Sequence, residues 1–491
     1  MSTLSIYSRR RKPDLENEIL LRFTSSSDFE YRRIHNGNLD FFVCWLDGLV
    51  SGRDISEEIL RPLSFSSCSV LSRISSDPVA SLLSGIVWAC AAKEQEIPEK
   101  ICEDLLSGCC AVIPKGAERA AVFEVKSSLA RAVSAPTAEK TVKGGKDAFV
   151  ELLRSNTALV RRRLRSHELK ILQCTVGRRS KTAVAILYIE GVTNASLPPE
   201  LLRRFQAMDV DGLMNAGGLE QYITDRPGSI FPQLLHTERP DSFASALLDG
   251  RAGVLVDGLP LGFLLPAALP DFLRVADDKA QHFGPASLLV LLRWLSLVMS
   301  LLLPGLATAV ALYHQEMIPT RLLLSMVEAK QRVPFSATLE MLSMFLIFEL
   351  LIEAGLRLPD PVGDTVSIIG GLIIGQAAVE ARVVSPISVI VVAATSIFGF
   401  VIPSRDLGGA LRFLRFSFII LGSALGLFGV TLGAGVLLRY LVMLESFGTP
   451  YCAPLSEGGL LPALKAMMQL PLPLDKFRTG YAGARDRRKQ R

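Results

Sequence analysis

Three carboxylates interrupt an apolar stretch in the second half of the chain. Residues 335–354 have the length and composition of a membrane-spanning helix, yet they include Glu340, Glu349 and Glu353. A charged side chain at membrane depth is costly unless it faces water, protein or a counter-charge. At about 100° per residue, Glu349 and Glu353 share one face of the helix and Glu340 lies on the opposite side. We therefore expect an interfacial or partly re-entrant helix whose carboxylates do not form a single cluster.

Two roles remain open for Glu349 and Glu353. They could contribute to an ion pathway, or they could pair with arginines such as Arg357 and Arg382. Intramembrane carboxylates are found in both settings.

The glycine-rich stretch 366–381 is a candidate pore helix. One face of the predicted helix, an arc of roughly 80°, carries apolar residues followed by two polar ones. These residues are Val366, Ile369, Ile373, Gln376 and Glu380. Repeated around a ring of copies, the apolar side chains would form a constriction and the polar pair a ring that attracts cations. The alternative is that this helix only packs tightly, since Gly370, Gly371 and Gly375 permit close helix contact.

No pattern for enzymatic chemistry accompanies these residues. The chain lacks G-x-G-x-x-G, G-x-x-x-x-G-K-[ST], G-x-S-x-G and H-E-x-x-H sequences, and its five histidines are isolated from one another. The eight cysteines show no C-x-x-C pair, so they are interpreted as reduced and apolar rather than as zinc ligands. We predict no catalytic residue, no metal site, no cofactor and no enzyme.

The polar residues of the second half are carried by long apolar segments. Three segments are long enough to cross a membrane, and the shorter stretch 366–381 makes a fourth candidate. They are Leu295–Leu312, Val383–Ile402 and Phe416–Leu438. Pro304 and Gly305 predict a kink in the first of them. An α-helical multi-pass membrane domain is therefore expected.

The topology follows from the charges that flank these segments. The tail after Lys476 is rich in arginine and lysine, which places it on the cytoplasmic side under the positive-inside rule. The N-terminus lacks the apolar core of a signal peptide, so the first half is expected to be cytoplasmic as well. Both ends then lie on one side and the number of spans is even, four in the simplest arrangement. Arg405, Arg412 and Arg415 fit this scheme poorly.

The first half has the composition of a water-soluble α/β domain with two subdomains. The runs Phe41–Leu46 and Thr182–Ile189 are typical of buried strands, and Gly253–Val256 and Leu261–Leu265 predict a hairpin around Asp257-Gly258. A helix is expected to begin at Pro198. The net charge of +5 is small, and the basic residues are not interleaved with aromatic ones, so nucleic acid is not an expected partner.

Four regions are predicted. They are a first cytoplasmic subdomain at 1–146, a second at 147–280, a helical membrane domain at 281–450 and a basic cytoplasmic tail at 451–491. In the second subdomain, the basic run from Arg161 to Arg165 is interpreted as a solvated helix end in preference to a contact with anionic lipid.

Long sequence blocks resemble one known family, in the family's order, from about Asp47 to Pro454. They include D-G-L-V-S-G-R-D-I-S-E-E-I-L-R-P-L from Asp47, L-R-S-N-T-A-L-V-R-R-R-L-R from Leu153 and V-G-R-R-S-K-T-A-V-A-I-L-Y-I-E-G from Val176. F-P-Q-L-L-H-T-E-R-P-D, H-Q-E-M-I-P-T and G-Q-A-A-V-E-A-R-V-V-S-P-I follow further along. The chain resembles the GerA family, the A subunits of bacterial spore germinant receptors, which includes the stage V sporulation paralogue. It departs from the family between Cys68 and Thr141, and Phe345 stands where the family often has a further carboxylate.

The resemblance implies a non-enzymatic subunit in the inner membrane of the dormant spore. It implies a homo-oligomeric ring, a pentamer, surrounded by membrane lipid and conducting monovalent cations through its centre. Its implied partners are a permease-like B subunit, which binds the nutrient, and a lipoprotein C subunit. Two other functions stay open: a secondary transporter, to which Pro304-Gly305 and the glycine-rich helix would be suited, and a scaffold that couples a nutrient-binding partner to a separate channel.

Overall fold

The computed structural model describes residues 14–36, 39–65, 77–89, 91–127, 143–331, 333–357, 375–455, 459–478 and 480–490, with 136, 139 and 141. The chain folds into two compact units. The sheet unit contains the chain up to Pro227, Leu234–Pro266 and the C-terminal segment from Asp475. The helical unit contains Gly228–Gln233 and Ala267–Leu474.

The first subdomain of the sheet unit contains a five-stranded antiparallel sheet with the order β1-β2-β4-β5-β3. The strands are β1 Phe29–Asn36, β2 Leu39–Leu46, β3 Ala92–Gln95, β4 Cys109–Pro114 and β5 Ala120–Glu124. Helices α1 (Leu15–Arg22) and α2 (Pro98–Leu106) cover one face. Short helical segments cover the other: Gly52–Asp54, Ile55–Leu60, Arg61–Phe65, Pro78–Ser81 and Leu82–Ile86.

Strand β2 shows why the sequence predicted a buried strand here. Phe42 and Cys44 point into the core beneath α1 and α2, whereas Phe41 and Val43 point into the opposite core. Because side chains alternate between the faces of a strand and both faces are covered, the whole run is apolar. The predicted strand is confirmed.

The second subdomain repeats this plan with the strand order β6-β7-β9-β10-β8, again antiparallel. The strands are β6 Leu169–Val176, β7 Thr182–Ile189, β8 Leu235–Thr237, β9 Ala252–Val256 and β10 Gly262–Leu265. The helices are α3 Leu153–Arg163, α4 Leu197–Ala207, α5 Ala216–Ile223 and α6 Pro240–Leu248. The predicted strand β7, the β9–β10 hairpin and the helix at Pro198 are confirmed.

Phe243 of α6 explains two glycines in the β9–β10 hairpin. Its ring lies over the backbone of Gly253 and Gly262, and a Cβ atom on Gly262 would lie 2.6 Å from the ring atom Cδ2. Phe149 packs edge-on against the same ring, with the two centroids 5.4 Å apart. A side chain at either glycine would displace the aromatic pair at the centre of this core.

Within the described residues, the helical unit contains six α-helices of eight residues or more. They are α7 Phe283–Tyr313, α8 Thr320–Lys330, α9 Ala337–Arg357, α10 Pro386–Phe400, α11 Arg405–Met443 and α12 Leu460–Met467. Residues 375–380 form a further short helical stretch, and Glu445–Ser446 pairs with Thr449–Pro450 as a two-stranded ribbon. Among the described residues, α7 and α11 are long and apolar enough to cross a membrane.

Helix α11 reverses direction in its middle, contrary to the single predicted span Phe416–Leu438. Gly426 has φ +65° and ψ −147°, a conformation that side-chain-bearing residues rarely adopt. A Cβ atom on Gly433 would lie 2.7 Å from Leu421 Cδ1. Twelve residues of straight helix would separate these positions by about 18 Å. Residues 427–443 therefore fold back along residues 405–425 as a helical hairpin.

The C-terminal segment is part of the sheet unit rather than a separate tail. Lys489 pairs with Asp249 at 2.7 Å, and Arg478 Nε donates a hydrogen bond of 2.6 Å to the carbonyl of Leu248. Tyr481 accepts a 2.8 Å hydrogen bond from Arg251. The chain leaves the sheet unit after Pro266, forms the helical unit and returns.

Candidate functional site

The backbones of α7 and of the first half of α11 approach each other closely. A Cβ atom on Gly305 would lie 2.6 Å from the carbonyl oxygen of Phe418, and a Cβ atom on Gly422 would meet the carbonyl of Gly305. Small residues allow such an approach because no side chain separates the two backbones. The contacts advance in the same direction along both helices, so α7 and residues 405–425 run parallel.

Pro304 leaves one carbonyl of α7 without a helical donor, and another helix binds that carbonyl. Proline has no N–H group, so the carbonyl four residues earlier, that of Ser300, loses its helical donor. Arg415 of α11 donates from Nε to this oxygen at 2.7 Å. Arg415 is 4% exposed, and its Nη2 atom occupies the space that a Cβ atom on Gly399 would need. A buried arginine among apolar helices is thereby given an acceptor.

The reversal of α11 also frees carbonyls, and Tyr313 binds two of them. The hydroxyl of Tyr313, at the end of α7, lies 2.9 Å from the carbonyl oxygen of Ser423 and 3.2 Å from that of Ala424. A Cβ atom on Gly426 would lie 3.3 Å from the Cβ atom of Tyr313. The end of α7 and the reversal of α11 therefore lie at the same end of the bundle.

Helices α9 and α10 run antiparallel to this pair. Val392 of α10 packs in one cluster with Ile419 of α11, and Gly399 further along α10 contacts Arg415, which lies earlier in α11. The two helices are therefore antiparallel. At the start of α9, the carboxylate of Glu340 accepts a hydrogen bond from the backbone N–H of Ser385, at the start of α10. The reversal of α11 and the starts of α9 and α10 therefore lie at one end of the bundle, which we call the far end.

The three carboxylates of α9 have three different environments. Glu340 is 1% exposed and binds at the N-terminus of α10, where unpaired N–H groups and the helix dipole stabilise a negative charge. Glu349 Oε1 lies 3.6 Å from Arg412 Nε of α11. Glu353 pairs with Arg357 of its own helix at 2.6 Å. The structure does not bring the carboxylates together, and the expected pairing with Arg357 holds for Glu353.

Two of the five predicted pore residues are described. Gln376 and Glu380 are both exposed, and the amide of Gln376 donates a 3.0 Å hydrogen bond to the carboxylate of Glu380. The stretch is held at the far end of the bundle, where a Cβ atom on Gly375 would lie 3.7 Å from the side chain of Val389. Val366, Ile369 and Ile373 lie outside the described residues.

In the sheet unit, the interpretation of the basic run of α3 as a solvated helix end holds only in part. Arg162, Arg163 and Arg165 are exposed, as it predicts, whereas the buried Arg161 joins the two subdomains. Arg161 is 1% exposed and binds Asp28 through Nε at 2.8 Å and through Nη2 at 3.0 Å. Arg162 donates to the carbonyl of Ser127, and Arg163 pairs with Asp147. The buried carboxylate of Asp28, in the first subdomain, pairs with Arg161. The sequence around Arg161 could not indicate this distant partner.

Another contact of this junction comes from the sequence blocks that resemble the family. Gly48 has φ +81°, and a Cβ atom there would lie 3.1 Å from both Ala158 Cβ and the carbonyl of Arg154. Within the second subdomain, the fully buried Asn156 bonds both the N–H and the carbonyl of Val150 and so holds the start of α3 in place. The blocks that carried the family resemblance thus include residues that hold the two subdomains together.

From the sequence, Arg412 and Arg415 were recognisable only as exceptions to the topology, Tyr313 only as a residue flanking an apolar segment, and Gly426 carried no signal. A buried arginine needs a partner and a proline frees a carbonyl, so the pair Arg415–Ser300 was in principle foreseeable. The described residues contain no group of three or more possible metal ligands. The cysteines in the described part of the chain are free thiols.

A sheet-rich α/β unit combined with helices of membrane-spanning length defines a protein with one sheet-forming part and one strongly apolar helical part. The family model described as "Bacillus/Clostridium GerA spore germination protein" matches residues 17–480. The chain belongs to the GerA family, as the sequence blocks indicated.

Its relatives carry the same designation. Spore germination protein B1 of Bacillus subtilis is 35% identical over 418 residues, which cover 84% of each chain. Spore germination protein KA of the same organism is 33% identical over 469 residues, covering 95% of this chain and 86% of the relative. The crystal structure of the N-terminal domain of the A subunit of the Bacillus megaterium spore germinant receptor GerK3 matches with a TM-score of 0.39 and 26% identity. That match covers 52% of this chain and 94% of the solved one.

Proposed function

We propose that this protein is the A subunit of a spore germinant receptor and that several copies, five in the ring the family resemblance implies, form a nutrient-gated cation channel. The observation that carries the channel proposal is the exposed Gln376–Glu380 pair at the far end of the apolar helical unit. An exposed carboxylate on such a helix would face water or a neighbouring copy, because facing lipid would be costly. In a ring, the pair would attract cations at one mouth of the pore.

The apolar residues before this pair would form the gate. Val366, Ile369 and Ile373 share its predicted helix face, and rings of such side chains close a pore by excluding water. Among the acidic residues of α9, Glu349 is the better candidate for a role in permeation. Its contact with Arg412 is longer than a hydrogen bond, whereas Glu340 is held at a helix end and Glu353 is paired locally.

The proposed location is the spore inner membrane, with the sheet unit on the cytoplasmic side. The chain leaves the sheet unit after Pro266 and returns to it at Asp475, so the helices between these residues would cross the membrane an even number of times. The hairpin in α11 supplies two of these crossings. A permease-like B subunit that binds the nutrient and a lipoprotein C subunit are the proposed partners.

The backbone carbonyls left without helical donors at Pro304 and near Gly426 are bound by side chains of the protein, which argues against a secondary transporter. In transporters with broken helices, unwound carbonyls coordinate the coupling ion near the middle of the membrane. Here Arg415 binds the carbonyl released by Pro304, and Tyr313 binds two carbonyls beside the break at Gly426. A cation at these places would have to displace a protein donor.

Ion flux in liposomes tests the proposal. The purified protein, reconstituted in vesicles loaded with potassium, should release the cation faster than protein-free vesicles and should not release sucrose. Glu380→Gln should lower the preference for potassium over chloride several-fold, because it removes the charge of the proposed ring. Glu353→Gln is the matched control, since that carboxylate already pairs with an arginine.

Two further outcomes would replace the proposal. Stoichiometric exchange of a solute would favour the transporter, and a correctly assembled but silent protein would favour the signal-coupling scaffold. Val366→Ala and Ile373→Ala should each raise the basal flux, since smaller side chains widen a hydrophobic constriction. If both variants conduct like the parent at equal protein levels, the gate lies elsewhere.

A further inference from the structure

Helix α8 has apolar side chains that the protein itself leaves exposed. It is an 11-residue helix in which no residue is buried. Leu322, Leu324 and Val327 are 50%, 65% and 43% exposed. At about 1.5 Å per residue its length is about 17 Å, whereas the hydrocarbon core of a bilayer is about 30 Å thick. α8 is therefore too short to cross a membrane and requires another environment for its leucines.

The side chains of α8 divide into two faces. At about 100° per residue, the apolar side chains fall within an arc of about 200°, and a polar stripe lies within about 60° on the other side. The apolar residues are Leu322, Leu323, Leu324, Met326 and Val327, and the polar stripe is Arg321, Ser325 and Glu328. Thr320 and Lys330, the first and last residues, fall within the apolar arc, but they lie at the helix ends, where the long side chain of Lys330 can reach water. This division suits a helix that lies along a boundary between an apolar medium and water.

Both ends of α8 are tethered to the far end of the bundle. Six residues join it to α7, which ends at Tyr313, and six join it to α9, which begins at Ala337. Six residues span at most about 20 Å. The Tyr313 hydroxyl contacts the reversal of α11, and Glu340 near the start of α9 contacts the start of α10, so the two tethers begin at the same end. The helix cannot leave the level at which the apolar helices end.

We infer that α8 lies flat on the phospholipid headgroup region, with Leu322, Leu324 and Val327 inserted among the acyl chains. This inference rests on the membrane placement in the proposed function and adds a surface to it. The ends of membrane-spanning helices lie at the level of the headgroups, and this is the level to which the tethers confine α8. An anchored α8 would hold the ends of α7 and α9 at a constant depth beside the Gln376–Glu380 stretch.

Quenching by lipid bromine atoms tests this placement in the full-length protein. A tryptophan introduced by Leu324→Trp on the apolar face is compared with one introduced by Ser325→Trp on the polar stripe. Each variant is placed in nanodiscs of phosphatidylcholine and phosphatidylglycerol brominated near the headgroup, and the signal of the parent's three tryptophans is subtracted. The probe at 324 should be quenched at least two-fold more by the lipid, and the probe at 325 at least two-fold more by aqueous acrylamide.

The other results overturn the inference. If the probe at 324 is quenched by neither agent, a second copy or another protein covers α8, and if acrylamide quenches both probes equally, the helix lies in water. Val298→Trp, on the exposed side of α7, separates these failures from a failure of the membrane placement. If lipid brominated deep in the acyl chains does not quench that probe, α7 does not lie in the bilayer and the proposed function falls first.

Discussion

Replacing Pro304 by alanine should uncouple Arg415 from α7. The new N–H group at position 304 can donate to the carbonyl of Ser300, which Arg415 now binds at 2.7 Å. Truncating Arg415 in the parent leaves this carbonyl without its donor, which costs about 1–3 kcal/mol in a buried site. In the Pro304→Ala background the helix itself supplies the donor, so the same truncation should cost less by about that amount.

A double-mutant cycle measures this coupling. The free energy of unfolding of the parent, Pro304→Ala, Arg415→Met and the double variant is obtained from denaturant titrations in mixed micelles followed by circular dichroism. A coupling of about 1–3 kcal/mol is expected, opposite in sign to the cost of Arg415→Met. Arg405→Met is the control on the same helix, because that residue is exposed, and it should be additive with Pro304→Ala. Additivity within about 0.5 kcal/mol for the Arg415 pair would refute the role of the arginine as the substitute donor.

Three further outcomes follow from the described contacts. Gly422→Ala should destabilise the helical unit by about 1–3 kcal/mol because its methyl group meets backbone. Gly435→Ala, with open space around it, should be neutral or stabilising by up to about 1 kcal/mol, so equal effects of the two changes would exclude the close crossing. Arg161→Met should cost about 3–5 kcal/mol in the sheet unit by stranding a buried carboxylate, and the exposed Arg165→Met should cost almost nothing. Burial raises the pKa of the Cys102 thiol to about 11, so maleimide at neutral pH should label it only after unfolding, and rapid labelling at Cys102 itself, located by peptide mapping of the native protein, would contradict the core packing.

Much of the sheet unit was predictable because each strand carries its own signal. β7 begins and ends at the predicted residues, since a run of apolar residues between polar turns has few alternatives in a sheet covered on both faces. The order of strands in the sheets was not predictable, because pairing joins segments far apart in the chain. The same limit applied to Arg161, whose partner Asp28 lies 133 residues earlier.

In the helical unit, composition alone indicated apolar helices, a kink at Pro304 and carboxylates that needed partners. Hydropathy averages over a window, however, so it could not distinguish one long span in α11 from a hairpin made by the dihedral angles of Gly426. Nor could hydropathy predict which partner each of the carboxylates Glu340, Glu349 and Glu353 binds. The partner of each carboxylate depends on which helix end or arginine lies next to it in the folded bundle.

The sequence by itself determined that this chain has an α/β half and an apolar helical half and that it belongs to the GerA family, because these conclusions rest on composition and local pattern. Only the tertiary structure decided which charges are satisfied within the protein and which remain exposed. The partner of a side chain is set by the packing of different helices against one another, and the spacing of residues along one helix does not predict that packing. For that reason the buried Glu340 accepts a hydrogen bond from the N–H of Ser385 at the start of α10, while Gln376 and Glu380 are exposed.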